Sequence, residues 1–276
     1  MSKTMKKIVP AIVTISLFTL TACSGTQNDT AIEIEQTAQL DYTNNLIILP
    51  LNEYTLTESD ISIFTQANNL LTQTCLREQG FQTTPLSEPV QLGSRDYGMW
   101  NPGWTQQYGY GLALETQESE LSSEEQKASL ECADNNSNKY FNNLTQEFDL
   151  PLSLAREARA EAEQHPAWKE AKDRWGRCLS DRGLSFSSPE RWASDQGSQL
   201  IEQGNFQSPD NTSEMIRVAT IEAECSQQEG VAQELANIEG TFQKKLIEEN
   251  SATLNEVKLQ KQETLEQARL VIAETQ

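Results

Sequence analysis

Histidine is nearly absent from this sequence: His165 stands alone among 276 residues. One imidazole excludes a His-rich zinc site, and no Cys/His spacing that suits zinc is present. A Cys/His nucleophilic dyad would also need a free thiol, and the cysteines read better as bridges. Basic residues are scarce too. Lys and Arg number 21 against 41 Asp and Glu, for a formal net charge of −20. That imbalance disfavours nucleic acid and anionic lipid headgroups as partners. Long apolar runs are missing. Ile8–Leu20 is broken by Pro10, Thr14, Ser16 and Thr19. A helix of that length rises about 20 Å, short of the ~30 Å of bilayer hydrocarbon, so it is no permanent span.

Metal and catalytic signatures fail one by one. Asp134-x-Asn136-x-Asn138 matches the first three ligand positions of a calcium-binding EF-hand loop. Lys139 then stands where glycine belongs and Thr145 where the closing glutamate belongs, so the match breaks. Paired carboxylates can hydrolyse glycans, but with 41 acids any pair can be chosen. No catalytic residue, metal or cofactor is therefore expected. His165, next to Pro166, reads as a helix-start residue, and an envelope hydrolase using two carboxylates is the alternative to a non-catalytic protein.

What is present begins at the N-terminus. Lys3, Lys6 and Lys7 precede the apolar run, the pattern of a signal peptide. Leu20-Thr21-Ala22-Cys23 follows and resembles the lipobox of bacterial lipoproteins. The resemblance implies cleavage after residue 22, a diacylglycerol thioether on Cys23, and a body held on the outer face of the cell membrane. Two acyl chains, at about 0.8 kcal/mol per buried CH₂, anchor a protein stably where one would not. Loss of residues 1–22 removes three lysines and no acid, so the charge becomes more negative. Residues 23–45 are rich in Ser, Thr, Asn, Gln and acids, and read as a flexible tether reaching about 25 Å.

Four further cysteines, Cys75, Cys132, Cys178 and Cys225, suit two disulfides in an exported chain. Four cysteines allow three pairings. Cys75–Cys132 and Cys178–Cys225 are favoured because they are sequential and because their contexts repeat. Cys75-Leu76 with Gly80 parallels Cys178-Leu179 with Gly183, and Glu131 and Glu224 precede the second cysteine of each pair. Each loop of about 50 residues contributes roughly 4 kcal/mol in the chain-entropy model.

The remaining pattern is mainly helical. Residues 46–210 read as a disulfide-stapled helical domain. Leu46–Leu51 is one short strand at most, because Pro50 cannot donate to a ladder. Thr57 and Asp60 have capping-box spacing ahead of Ile61, Phe64, Leu71 and Cys75 on one face. Ser122 with Glu125 starts a second helix. Pro151 opens a third, and Pro166 a fourth with Trp168, Ala171, Trp175, Cys178 and Leu179 as its buried stripe. Ser188-Pro189-Glu190 suggests a short helix carrying Trp192, and residues 197–211 a connector. Residues 211–276 read as a long amphipathic helix, a candidate coiled coil. Its apolar seam is interrupted at Glu249, Asn250, Gln260 and Lys261, with Gly230 and Gly240 as weak points.

Residues 82–114 break this helical pattern. Prolines and glycines forbid a long helix there, and Tyr97, Trp100, Trp104, Tyr108 and Tyr110 are interleaved with them. Aromatic faces with polar tips suit stacking on a sugar or peptide, so these five are the candidate binding residues. Filling the core is the competing use of the same rings. Besides the membrane, reached through the lipid, the partner is expected to be a protein or a cell-wall glycan.

Trp175-Gly176-Arg177-Cys178-Leu179, Gly183, Ala223-Glu224-Cys225 and Leu246-Ile247-Glu248-Glu249-Asn250 with Leu254 are similar to segments of secreted lipoproteins from high-GC Gram-positive bacteria. Cys75-Leu76, Gly80-Phe81, Tyr97-Gly98 and Tyr108-Gly109-Tyr110 share the likeness. It covers most of the chain after Cys23. Its motifs are tryptophans, cysteines and helix stops, so it implies architecture and placement and no activity.

Overall fold

The computed structural model describes residues 32–83, 93–111, 122–140, 148–188, 190–203 and 209–275. The expected leader, Cys23 and residues 23–31 lie outside them, as do parts of the Gly-rich segment, residues 141–147 and Pro189. The fold is mainly α and carries both favoured disulfides, Cys75–Cys132 and Cys178–Cys225. Among the described residues no helix is long and apolar enough to cross a membrane.

The expected tether ends earlier than residue 45. Gln39–Asp41 (β1) pairs antiparallel with Leu46–Ile48 (β2), with Leu40 opposite Ile47. Asp41 makes the turn, its Oδ1 accepting from the amides of Thr43 and Asn44 at 2.9 and 3.1 Å. The strand before the turn is held from the far end of the chain. Asn237 Oδ1 accepts from the amides of Thr37 and Ala38, each at 3.1 Å. Polar composition suggested a free coil, whereas side-chain acceptors 200 residues away satisfy this backbone.

The helices start where their caps allow. Glu58–Glu78 (α1) has the Thr57/Asp60 capping box closed in both directions. Ser122 and Glu125 do the same for Ser123–Tyr140 (α3). Pro102–Tyr108 (α2) starts on Asn101, whose Oδ1 accepts from the Trp104 amide. Asp149–Gln164 (α4) runs into Pro166–Asp181 (α5), and His165 between them caps α5 through Nδ1 and the Ala167 amide. The sequence pair Cys-Leu…Gly is realised twice in three dimensions. At the end of α1 the amides of Gly80 and Phe81 reach the carbonyls of Arg77 and Leu76. At the end of α5 those of Gly183 and Leu184 reach Ser180 and Leu179. Both glycines have φ near +80 to +90°, the left-handed value this stop requires. Ile61 departs from its expected place: it is 51 % exposed, and Asp60 takes the buried position at the start of α1.

Two expectations further along are corrected. Residues 190–193 form a turn rather than a helix. Asp195–Gln203 (α6) then occupies part of the expected connector, capped by Ser194 Oγ, which accepts from the Gly197 amide at 2.9 Å. The C-terminal helical stretch is three helices: Pro209–Gln228 (α7), Val231–Glu249 (α8) and Ser251–Thr275 (α9). Gly230, at φ 66°, breaks the first junction. At the second, Asn250 donates from Nδ2 to the Leu246 carbonyl. Gly240 does not interrupt α8. It lets Thr37 and Pro50 lie on the helix, where any Cβ would collide with Thr37.

α8 is the axis of the core. It packs against α4, α5 and α7, and Val231, Leu235, Ala236 and Ile238 are fully buried among Trp168, Trp175, Val218 and Ala223. α9 folds back and lies along α1, where Leu265, Ala268 and Val271 meet Phe64 and Ala67. The long terminal helix is therefore docked, and its seam is spent on the same chain.

Candidate functional site

The five candidate binding aromatics divide sharply. Tyr97, Trp100 and Tyr110 are 1, 2 and 3 % exposed and belong to the core. The Trp100 indole donates to the Ser94 carbonyl at 2.8 Å and its ring meets Tyr42 edge-on at 5.1 Å. Tyr97 meets Trp168 edge-on at 5.8 Å. These three rings cannot stack on a ligand, because the chain uses them to fill its core. Trp104 and Tyr108 remain half-buried on α2, their centroids 4.4 Å apart and their planes tilted by 50°. They cover each other more than they offer a flat platform. Trp168, Trp175 and Trp192 form a continuous set of ring contacts at 5.8 to 6.2 Å.

A concave surface lies elsewhere. An open cleft of about 710 Å³ runs between β2, the start of α1 and residues 93–96. This volume falls in the range of small-ligand sites. Its apolar wall is Ile47, Ile48, Leu49, Pro50 and Leu56. Among the described residues, Glu53, Glu58 and Asp96 stand around it with Arg95 as the lining cation. Two of these acids are engaged: Glu53 pairs with Lys258, and Glu58 accepts from the Gly93 amide at 3.0 Å. Arg95 is half-buried and its Nη1 donates to the Tyr110 carbonyl. Burial pulls its guanidinium down, and Glu58 pulls it back up.

Two carboxyls that are raised above their ordinary value sit in the core, away from this cleft. Glu239 accepts from the Tyr97 hydroxyl at 2.9 Å, from Arg159 Nη1 at 3.0 Å and from Gln243 at 3.1 Å. Burial pushes the Glu239 carboxyl up, and Arg159 pulls it down. Arg159 also lies over the rings of Tyr97 and Trp168, 4.8 and 4.5 Å from their centroids. This network binds α4 and α8 to the 96–97 turn. Glu222, on α7, is fully buried and accepts from the Ser194 amide at 2.7 Å. Burial pushes its carboxyl up to about 7, against the opposing pull of Ser194 and Tyr110. Among the described residues no group of His, Cys, Asp and Glu is arranged to hold a metal ion.

Neither acid was singled out from the sequence, yet both left a signal there. Glu239 follows Leu235 by four residues, and Glu222 precedes Cys225 by three. Each is thus an acid on the apolar stripe of its helix, the position that demands a buried partner. Comparison of the chain with protein-family models, with curated proteins and with solved structures returns no match.

Proposed function

We propose that this is a lipid-anchored extracytoplasmic protein whose folded body is a non-catalytic binding or envelope-organising module, with the cleft beside β2 as its ligand seat. Residues 3–23 support the anchor: a basic start, a short apolar run and Leu20-Thr21-Ala22-Cys23. The similarity to secreted lipoproteins of high-GC Gram-positive bacteria supports the same placement. The observation that carries the binding reading is the division of labour among the acids. Among the described residues the two carboxyls held above their ordinary value, Glu222 and Glu239, serve the packing of helices, and the open cleft combines an apolar wall with a mixed-charge rim. A hydrolase needs two carboxyls converging on one accessible space.

The anchor is tested by fractionation and palmitate labelling. Wild type partitions with membranes and takes the label, whereas Cys23→Ala does neither. A Cys23→Ala chain that stays membrane-bound defeats the placement. The binding seat is tested with a photo-crosslinking residue at Ile48 in the cleft and, as control, at Leu259, exposed on the outer face of α9. A discrete adduct from Ile48 alone in intact cells is expected; equal adducts from both positions defeat the seat.

A further inference from the structure

Glu222 is the one carboxyl in the described structure with a bare oxygen in the core: Oε2 is buried and has no hydrogen-bond partner. No cation faces it. At the start of α6 it meets the Ser194 amide and hydroxyl, and from the segment after α2 the Tyr110 hydroxyl. From α5 comes the Trp175 indole, which donates to the Glu222 backbone carbonyl at 3.0 Å. The charged residues nearby on the same elements are committed elsewhere. Glu214 pairs with Arg217, Glu224 with Arg182 and, on α8, Glu234 with Arg174. Asp195 accepts from Ser187.

The element that covers this acid is short. α6 packs on α7, with Gly197 buried, Leu200 half-buried and Ile201 exposed. Gly197 sits so close that a methyl group there would overlap both the Tyr110 hydroxyl and the Glu222 carboxyl. The other sides of the site are α7 itself, the Trp175 ring and Tyr110, all of them buried members of the main core. Water reaches Glu222 most cheaply if α6 lifts.

We propose that α6 is a proton-gated lid: it stays closed over Glu222 while that carboxyl is protonated, and opens when it ionises. A neutral carboxyl carries one O–H, and the Tyr110 hydroxyl beside it, which has no partner of its own, can accept it. A carboxylate without a cation in apolar surroundings favours any conformation that hydrates it. Ionisation releases the proton to bulk water once α6 has lifted, and reclosing takes one back. Short elements with few apolar contacts open locally at a fraction of the global cost. Burial places the transition near neutral pH, where an extracytoplasmic surface would meet it. The inference rests on the core geometry and is independent of the lipid anchor.

Hydrogen exchange by mass spectrometry on the full chain tests it. After correction for intrinsic rates, the opening constant of residues 194–203 is expected to rise about tenfold between pH 6 and pH 8, while α4 stays unchanged. Glu222→Gln, neutral at both pH values, should abolish the rise, and Asp195→Asn should keep it. A flat response in wild type overturns the proposal. So does a rise shared equally by α4, which needs no variant to be read, and so does a rise that survives Glu222→Gln.

Discussion

Lys261 Nζ lies 2.8 Å from Asp60 Oδ2, and through that pair the last helix of the chain is tied to the cap of the first. Asp60 already receives the Thr57 amide and hydroxyl at 2.9 and 2.8 Å. Lys261 also donates to the Thr55 carbonyl at 2.7 Å. The seam of α9 is therefore not interrupted at residue 261 in the way its charge suggests, because the ammonium has a prepared seat.

Removing Lys261 leaves a buried carboxylate without its cation and the Thr55 carbonyl without its donor. Lys261→Ala is expected to cost about 2–4 kcal/mol, near the lower end for breaking a buried pair because a tenth of each side chain is still wet. Burial pushes the Asp60 carboxyl up, but the bonds from Lys261 and Thr57 outweigh it and hold the group below its ordinary value. The folded pKa is depressed, so this contribution is present above the unfolded value and lost as pH falls through the folded one. Urea melts of Lys261→Ala, Asp60→Asn and the double variant measure it. A coupling energy near zero at pH 7 would show that the pair holds nothing.

The N-terminal boundary of the body makes a second prediction. Asn237 serves three donors at once: the amides of Thr37 and Ala38 and the Gln233 side chain. Asn237→Ala should cost about 1–3 kcal/mol, the penalty of unpaired backbone donors. Gly240→Ala should act alike by pushing Thr37 off α8. In both variants a protease should cut within residues 34–45, where the wild type is protected. Ready cleavage of the wild type in that segment would restore the longer tether.

These two sites mark the border of what the amino-acid pattern reveals. The stripe Trp168, Ala171, Trp175, Cys178 and Leu179 is buried as its spacing demands, because packing on one helix face is a local property. The caps at Thr57 and Ser122 and the stops at Gly80 and Gly183 also formed where their residues allow, since each is settled within four or five residues. β1 was missed because its support comes from Asn237, and α6 because Ser194 and Gly197 acquire meaning only beside Glu222. The aromatic segment was legible as unusual and illegible as to use. Whether Tyr97 faces a ligand or Glu239 depends on a contact across 142 positions.

The two bridges should differ in reach. Cys178–Cys225 is buried and joins α5 to α7 at the centre of the core, whereas Cys75 is half-buried and its bridge ties α3 to α1, the element it packs on. Mild reductant followed by alkylation should label Cys75 and Cys132 first, while the core stays folded. The pair Cys178→Ser and Cys225→Ser should cost about 2–5 kcal/mol, shared with the packing around it. Mass spectrometry of the unreduced protein checks the pairing, and labelling of Cys178 before Cys75 would reverse the assignment of which bridge is central.

Glu222 predicts the direction in which the whole protein responds to pH. Its folded pKa, about 7, stands above the value of 4.5 for a free glutamate, because burial disfavours the charged form. Stability contributed by the neutral carboxyl is therefore complete below pH 4.5 and drains away as pH rises through 7. The full loss is about 3 kcal/mol at 1.36 kcal/mol per unit. Opening of α6 caps that loss, since a hydrated Glu222 no longer charges the cost of burial to the rest of the fold. Glu239 adds a slope of the same sign, its carboxyl pushed up by burial and restrained by Arg159. Urea midpoints at pH 5.5 and 8 should fall for the wild type and fall much less for Glu222→Gln. A variant that keeps the wild-type slope would place the titrating group elsewhere in the core.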